Sequence, residues 1–354
     1  MSMLPLEPTP LPPEPKYWSL AETDAERLHA IAAFGFTDRQ CRFLMEVLLH
    51  SGVFVERQYC QFAGIAHGQK TTNFIHGLVD RRFATPITPG KLHRGRMFHV
   101  HYKPLWTAIR EPDSRLRKRA APGRMIERVM LLDAVLDAPS MIWLASAADK
   151  RHHFMDHLRD RFELADMPQL RFGDSASRVW CHFPDKLPIG DDRERSDHHV
   201  FVYLVTTPVP WDFRLFLLRH IPLLRNLSRW TIRLLFPKPL AKARQSYLHA
   251  AREHLMGTAR GRNVSMIEEM FQQRRRLAEP NPEPPYERYR EDVRWTSAPR
   301  FRALYRQWLL DPERTLWFAD SNVLSDALER GLGRVECVEL TRQYLHLSPL
   351  VDVA

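Results

Sequence analysis

The feature that most restricts the fold is an ordered run of helix signals that begins at Thr37. Thr37 followed by Gln40 has the spacing of a capping box, and apolar residues then recur at helical spacing. The same periodicity predicts a shorter helix over Val55–Ala63 and a third helix over Gln69–Arg82, separated by a glycine-containing turn. Helices joined by connections this short are expected to pack against one another.

Two strand signals follow the helices and complete the pattern. Phe83–Ile87 and Met97–Tyr102 read as strands, and the segment 88–95 between them holds the proline, glycines and basic residues of a hairpin tip. Helix, short helix, turn, helix and hairpin is the order of a winged helix-turn-helix, whose third helix enters the major groove of DNA. We therefore predict such a domain over residues 19–110.

The polar side of the third helix and the hairpin tip offer side chains suited to double-stranded DNA. Glutamine and asparagine can pair with adenine, lysine and threonine can reach guanine or phosphate, and basic tip residues suit phosphates or the minor groove. A solvated helix face or a protein-interaction module would use the same residue types, so these alternatives remain open. The candidate DNA contacts are Gln69, Lys70, Thr71, Thr72, Asn73, His76, Lys91, His93, Arg94 and Arg96.

The composition is that of a folded, basic protein. Hydrophobic residues make up 44% and charged residues 27%, and the formal net charge of +10 favours an anionic partner, although a solvated basic surface has the same composition. The four cysteines are widely spaced, as expected for reduced thiols in the cytoplasm. No secretory signal and no uninterrupted apolar run of membrane-spanning length is found, so we expect no membrane partner.

Proline and charge clusters divide the rest of the chain. Short apolar strand signals alternate with helical stretches in the middle of the sequence, which indicates an α/β core. The predicted fold class is therefore α+β. The predicted divisions are a disordered proline-rich tail (1–18), the DNA-binding domain (19–110), a basic linker (111–124), an α/β domain with a helical extension (125–277), a proline-rich linker (278–298) and a mostly helical C-terminal segment (299–354).

The stretch from Trp211 to Arg252 is unusual because it contains nine lysines and arginines and only one acidic residue, Asp212. It is predicted to be mostly helical, with breaks at its prolines. Three interpretations remain open: a second nucleic-acid surface, an amphipathic helix on an anionic membrane, or a helical hairpin with its apolar side in the core.

The sequence combines a basic winged helix, a charged linker and a small α/β domain. That domain has a strand ending in Pro184-Asp185 and a later strand at Phe201–Val205. This combination resembles the replication-relaxation family of plasmids and mobile elements. The resemblance covers about residues 37–205. It implies DNA binding linked to replication or transfer. It also implies a second domain like a restriction-endonuclease core, with an Asp and a Glu-x-Lys on adjacent strands.

The nuclease chemistry implied by that resemblance is not supported by the residues. Two carboxylates are needed to hold a divalent ion and a lysine to steady the attacking water. Asp185 could be the first carboxylate, but the next strand, Val202–Thr206, has neither acid nor lysine. The acids that could take the place of the missing second carboxylate are Asp191, Asp192 and Glu194, which lie close to Asp185 in the sequence.

The spacing of the histidines gives only a weak indication of a metal-binding site. His153 and His157 have the spacing of a zinc-binding pair, but without a third ligand in the pattern we expect an exposed helix face. His198 and His199 are expected at the solvated end of a strand. We predict no catalytic residue, no metal and no cofactor.

The sequence predicts a sequence-selective regulator that binds double-stranded DNA and acts in replication or transcription of a mobile element. The α/β domain would serve dimerisation, as a homodimer, or partner binding. The alternatives are a metal-dependent nuclease that uses Asp185 and a protein-interaction scaffold.

Overall fold

The protein has a mixed α+β fold, as predicted, in which an N-terminal group of helices with a small sheet packs against a larger sheet covered by helices. The computed structural model describes residues 20–87, 96–158, 161–172, 179–185, 187–192, 194–195, 197–256, 264–276, 299–313, 315–316, 323–342 and 344.

Residues 20–108 form five helices and a three-stranded antiparallel sheet of order β1-β3-β2. The aromatic rings of Phe43, Tyr59 and Phe74 contact one another in the core, which holds the helices on one face of the sheet. The elements are α1 (Leu20–Ala32), α2 (Asp38–His50), β1 (Val53–Val55), α3 (Glu56–Ala63), α4 (Gln69–Asp80), β2 (Ala84–Ile87), β3 (Met97–Val100) and α5 (Lys103–Ala108).

The helix signals of this region are confirmed, but α4 ends at Asp80 rather than Arg82, and α5 was not predicted. The backbone N–H of Thr37 donates to Gln40 Oε1 at 3.0 Å, the bond expected of a capping box at the start of α2. The second predicted helix begins at Glu56 rather than Val55, because the buried residues Val53–Val55 pair with β3. Helix α1 was not predicted from the sequence.

A five-stranded mixed sheet forms the centre of the remaining chain. Its order is β10-β9-β8-β7-β4, with parallel pairing from β8 to β10 and antiparallel pairing of β8 with β7 and β7 with β4. A separate hairpin pairs β5 with β6. The strands are β4 (Met141–Leu144), β5 (Gln169–Phe172), β6 (Val179–His182), β7 (Ile189–Asp192), β8 (His198–Leu204), β9 (Arg229–Phe236) and β10 (Gly333–Glu339).

Helices cover this sheet on both faces. Helix α6 packs between the N-terminal helices and the sheet, since Leu132 lies in the N-terminal core and Val129 in a core shared with Val202 and Leu235. The helices are α6 (Pro122–Leu136), α7 (Ala147–His152, continued by a π-helical turn at His153–His157), α8 (Trp211–Arg225), α9 (Arg244–Leu255), α10 (Val264–Arg276), α11 (Pro299–Leu310) and α12 (Val323–Glu329).

The prediction of a mostly helical stretch from Trp211 to Arg252 is wrong in its middle. Arg229–Phe236 is strand β9, at the centre of the parallel part of the sheet. Its sequence alternates polar Arg229, Thr231 and Arg233 with apolar Trp230, Ile232 and Leu234, which is a strand pattern, and most of these side chains are buried. Several of the basic residues are paired instead of forming one basic face: Arg214 with Glu253, Arg219 with Asp185 and Arg233 with Glu336.

The C-terminal segment is likewise not only helical. Strand β10 completes the main sheet by pairing in parallel with β9, so the C-terminal segment contributes to the central fold. Gly333 is needed at this point, because a Cβ there would lie 2.3 Å from the Trp230 ring. Glycine is therefore required at position 333, because the buried indole of Trp230 lies against the start of the edge strand β10.

The predicted basic linker, 111–124, is packed rather than free. Leu116 is buried, and α6 already begins at Pro122. Gly52 has a φ of +70°, and a Cβ there would lie 2.4 Å from the Leu116 carbonyl oxygen, so the segment is held tightly against the end of α2. In the part of the chain that the structure describes, no helix combines the length and the apolar character needed to cross a bilayer.

Candidate nucleic-acid interface

Helix α4 is positioned by a short turn and an apolar face. Gly64 ends α3 with a φ of 62°, in the left-handed region that glycine adopts without strain. The turn then leads to Gly68, which precedes α4 without a capping side chain, so the first amide groups of α4 have no side-chain acceptor there. Phe74, Ile75 and Leu78 bury the inner side of α4 in the N-terminal core.

Most of the predicted contact residues of α4 lie on its outer side. Gln69, Lys70, Asn73 and His76 are exposed, and Thr72 is half-buried. Thr71, predicted as a DNA contact, is instead fully buried, because its position in the helical turn faces α3. Its hydroxyl lies 3.3 Å from Cys60 Sγ. Thr71 therefore belongs to the packing of α3 on α4 and not to the surface.

The hairpin residues divide into those inside and outside the described part of the chain. Lys91, His93 and Arg94 lie outside the described residues. Arg96 is described, and it is exposed directly before β3.

Two amides on α4 are already linked. Gln69 Nε2 donates to Asn73 Oδ1 at 2.6 Å, across one turn of the helix. This bond uses the amide oxygen of Asn73 and leaves the Asn73 NH₂ group and the Gln69 oxygen for a ligand. An amide-bearing edge with one donor and one acceptor is the arrangement that can read a base edge in the major groove.

An open groove separates α4 from the hairpin strands. It is lined by polar residues of both signs, including Arg96 and the carboxylates of Glu56 and Asp80. Glu56 lies 2.8 Å from His67 Nε2, so one of these acids has a nearby basic partner. The Asp80 carboxylate at the end of α4 and the Glu56 carboxylate, which lies beside His67 just before α4, both repel phosphate, so the groove itself is poorly suited to an anionic ligand.

Several polar side chains of α3 bind carboxylates in or directly after α6, in contrast to those of α4, although Arg57 and Gln61 are themselves exposed. Arg57 donates two hydrogen bonds to the fully buried carboxylate of Asp133 on α6, at 2.7 and 2.6 Å, and Gln58 Nε2 donates a third at 2.9 Å. The Tyr344 hydroxyl donates to the same carboxylate. Burial raises the pKa of Tyr344, and the charge of Asp133 raises it further, so this phenol stays protonated.

A second set of bonds extends this anchor to the surface. Arg342 donates to both oxygens of Asp137, at 2.7 and 2.8 Å, and Gln61 Nε2 donates to the same carboxylate at 2.7 Å. The hydrogen bonds from Arg342 hold the pKa of Asp137 below its ordinary value. Helix α3, and α4 with it, is thereby fixed to α6 and to the residues after β10.

Asp185, the carboxylate weighed for a nuclease, has no metal-binding surroundings. It follows β6, which lies outside the main sheet, and both of its oxygens are 3.4 Å from Arg219 Nη1. Burial raises its pKa, a shift that the charges of Arg219 and Lys150 oppose. Among the residues that the structure describes, Asp185 belongs to no group of three side chains close enough to share an ion.

A different group, which sequence reasoning missed, does come together. Ligand atoms of His153, Asp191 and His199 all lie within 4.8 Å of one another. His153 and His199, expected to be exposed, are both buried, with 7% and 1% of their surfaces exposed. Asp191 and His199 are paired residues of β7 and β8, a register that the sequence does not reveal.

The N-terminal region thus holds an exposed, amide-bearing helix beside an antiparallel hairpin, and the larger sheet holds a buried histidine and carboxylate group. No family model, no curated protein and no solved structure matches this chain. The role of these two places must therefore be inferred from their own side chains.

Proposed function

We propose that the protein binds double-stranded DNA and that residues 19–110 act as a winged helix-turn-helix. The observation that carries the proposal is the contrast between the two adjacent helices. Helix α4 leaves Gln69, Lys70, Asn73 and His76 in water, while α3 is held from behind by Asp133. A rigidly held helix with an exposed polar side is what entry into a major groove requires.

The side chains of α4 suit the chemistry of the major groove. An α-helix fits its width, Asn73 can pair with adenine, and Lys70 can reach guanine or a phosphate. The uncapped amide groups after Gly68 form a site for a backbone phosphate, because the helix dipole favours an anion there. Arg96, with Lys91, His93 and Arg94 of the hairpin, would neutralise phosphates or enter the minor groove.

The wider role is that of a sequence-selective regulator. The net charge of +10 favours DNA association, and the resemblance to the replication-relaxation family implies a role linked to replication or transfer of a mobile element. A role in transcription and a place in the cytoplasm are separate parts of the proposal. The main sheet would be the counterpart of a degenerate endonuclease-like core, serving dimerisation or partner binding without catalysis. Its β8 strand carries no Glu-x-Lys, and Asp185 is paired with Arg219.

The experiment is selection of bound duplexes from a random pool with the full chain, followed by titration of the selected duplex at several salt concentrations. Each phosphate neutralised contributes about −0.9 to the slope of log K against log salt, so Arg96→Ala should make the slope shallower by about that amount. The control is Arg252→Ala, which removes an equally exposed arginine from α9 and should leave the slope unchanged.

Three outcomes would contradict the proposal, and each leads to a different conclusion. Failure to enrich or retard any duplex at low salt would overturn the proposal and favour the protein-interaction scaffold. Cleavage of DNA with magnesium or manganese that is lost in Asp185→Ala would favour the nuclease. An equal loss of slope in Arg96→Ala and Arg252→Ala would move the DNA-binding surface away from α4 and the hairpin.

A further inference from the structure

The histidine and carboxylate group of the main sheet lies where three elements meet. Helix α7 widens into a π-helical turn that begins at His153, and the N–H of Leu158 closes that turn on the His153 carbonyl oxygen at 3.1 Å. Asp191 lies near the end of β7, and His199 near the start of β8. π-Helical turns inside helices are frequent at functional sites, since they displace a side chain from its regular position.

The distances suit a shared ion. His153 Nε2 and His199 Nε2 are 2.9 Å apart, and all three ligand atoms lie within 4.8 Å of one another. Two ligands of one zinc ion at about 2.0–2.2 Å cannot be more than about 4.4 Å apart. At tetrahedral angles such ligands lie about 3.3–3.6 Å apart, so side-chain movements of up to about 1 Å would bring all three onto one ion.

One ring nitrogen of His199 is buried without a hydrogen-bond partner. His198, the neighbour of His199, has both ring nitrogens engaged, with Asp192 at 3.1 Å and Thr231 at 2.9 Å. His199 is more deeply buried, yet its Nδ1 is buried without a hydrogen-bond partner. A buried polar atom left without a partner is costly, and an ion held by this nitrogen would supply the missing partner.

From this geometry we infer that His153, Asp191 and His199 bind a first-row divalent transition-metal ion, with Zn²⁺ as the probe that fits best. Two imidazoles and one carboxylate are donors that zinc and its neighbours prefer, whereas Mg²⁺ and Ca²⁺ take mainly oxygen ligands. Asp191 is half-buried, so the ion enters from its side of the group. Three protein ligands leave a further position for water or another ligand.

The ion would connect the π-turn after α7 to two strands of the sheet. Phe154, which is fully buried, lies against His199 with ring centroids 5.4 Å apart, so the group borders directly on the core. Because ligands from separate elements come together only in the folded chain, the bound ion is expected to stabilise the fold. This inference does not depend on DNA binding.

The test is zinc titration of the full chain after removal of metals with a chelator, using competition with a coloured chelator and elemental analysis. We expect one tight Zn²⁺ site in the natural protein, a higher Tm when zinc is added, and no such effect of Mg²⁺. Asp191→Asn and His199→Gln should each weaken zinc by more than about 100-fold, since loss of even an outer partner of a ligand costs about 10- to 100-fold.

The matched control is His152→Ala, which removes a partly exposed histidine from the same helix, outside the group, and should bind zinc as the natural protein does. Circular dichroism shows whether each variant is folded. If His199→Gln does not fold, Asp191→Asn and the Co²⁺ absorption spectrum of the natural protein still test nitrogen ligation. Absence of a tight site, or a site of unchanged affinity in Asp191→Asn and His199→Gln, would overturn the inference.

Discussion

Helices α3 and α4 are neighbours of similar polarity, but their polar side chains have opposite surroundings. In α3, Arg57 and Gln58 are bound to Asp133, a carboxylate 76 residues from Arg57 in the sequence. In α4, Lys70 and Asn73 face water, and the helix is held by its apolar side and by the buried Thr71. The difference shows that a polar helix face is available to a ligand only where no distant side chain already uses it.

The largest effect should come from removing the centre of the α3 anchor. Asp133→Ala leaves Arg57, Gln58 and Tyr344 without their shared acceptor, and losing it costs about 1–3 kcal/mol for each of the buried side chains Gln58 and Tyr344. We expect that loss in the free energy of unfolding measured with urea. Asp113→Asn, at an exposed carboxylate, should change it by less than about 0.5 kcal/mol. Equal effects of the two variants would contradict the anchor.

Substitution on α4 should have the reverse pattern. Asn73→Ala and Lys70→Ala are expected to weaken binding of a selected duplex by about 1–3 kcal/mol each, with relaxed preference at particular bases. The free energy of unfolding should stay within about 0.5 kcal/mol of the natural protein, because both side chains are exposed. Binding by fluorescence anisotropy and unfolding by urea should be measured on the same preparations. Loss of stability without loss of binding would make α4 a structural element only.

The sequence predicts those features of α3 and α4 that depend on residues close together in the chain. The Thr37 and Gln40 spacing, the glycines before α4 and its apolar stripe are local signals, and the corresponding elements form. The inward placement of Thr71 is not local in this sense. It depends on how α4 is rotated against α3, and a polar residue next to an apolar stripe is compatible with either side.

The central fold was harder to predict because its elements depend on distant pairing. Strand β9 has a local strand signal, because Arg229, Thr231 and Arg233 alternate with apolar residues, but it lies between two helical stretches and ends in the continuous apolar run Leu234–Phe236. Strand β10 joins β9 across about a hundred residues of intervening chain, so its local pattern is a weak guide. His153 and His199, 46 residues apart, approach only once the π-turn and the β7–β8 register exist.

Adjacent threonines on α4 allow a finer test of the boundary between packing and surface. Thr71→Val removes a buried hydroxyl that contacts Cys60, so we expect unfolding to become easier by about 0.5–1.5 kcal/mol with DNA affinity unchanged. Thr72→Val, at the half-buried neighbour, should leave stability closer to the natural value and affect only DNA binding. If Thr71→Val weakened DNA binding selectively, the assignment of Thr71 to the packing would be wrong.

The smallest effect is expected at the exposed end of the anchor, where Arg342 binds Asp137. The Asp137 side chain is 49% exposed, so Asp137→Asn should cost less than about 1 kcal/mol at neutral pH.

Since the hydrogen bonds from Arg342 lower the pKa of Asp137 below its ordinary 3.8, the unfolded chain takes up this proton first as the pH falls. The stabilisation is therefore complete above that value and lost below it. Urea unfolding of both proteins at pH 7 and at about pH 3.5 should show the difference narrowing with acid. A difference that stays constant or widens would mean that Asp137 contributes through contacts other than its charge.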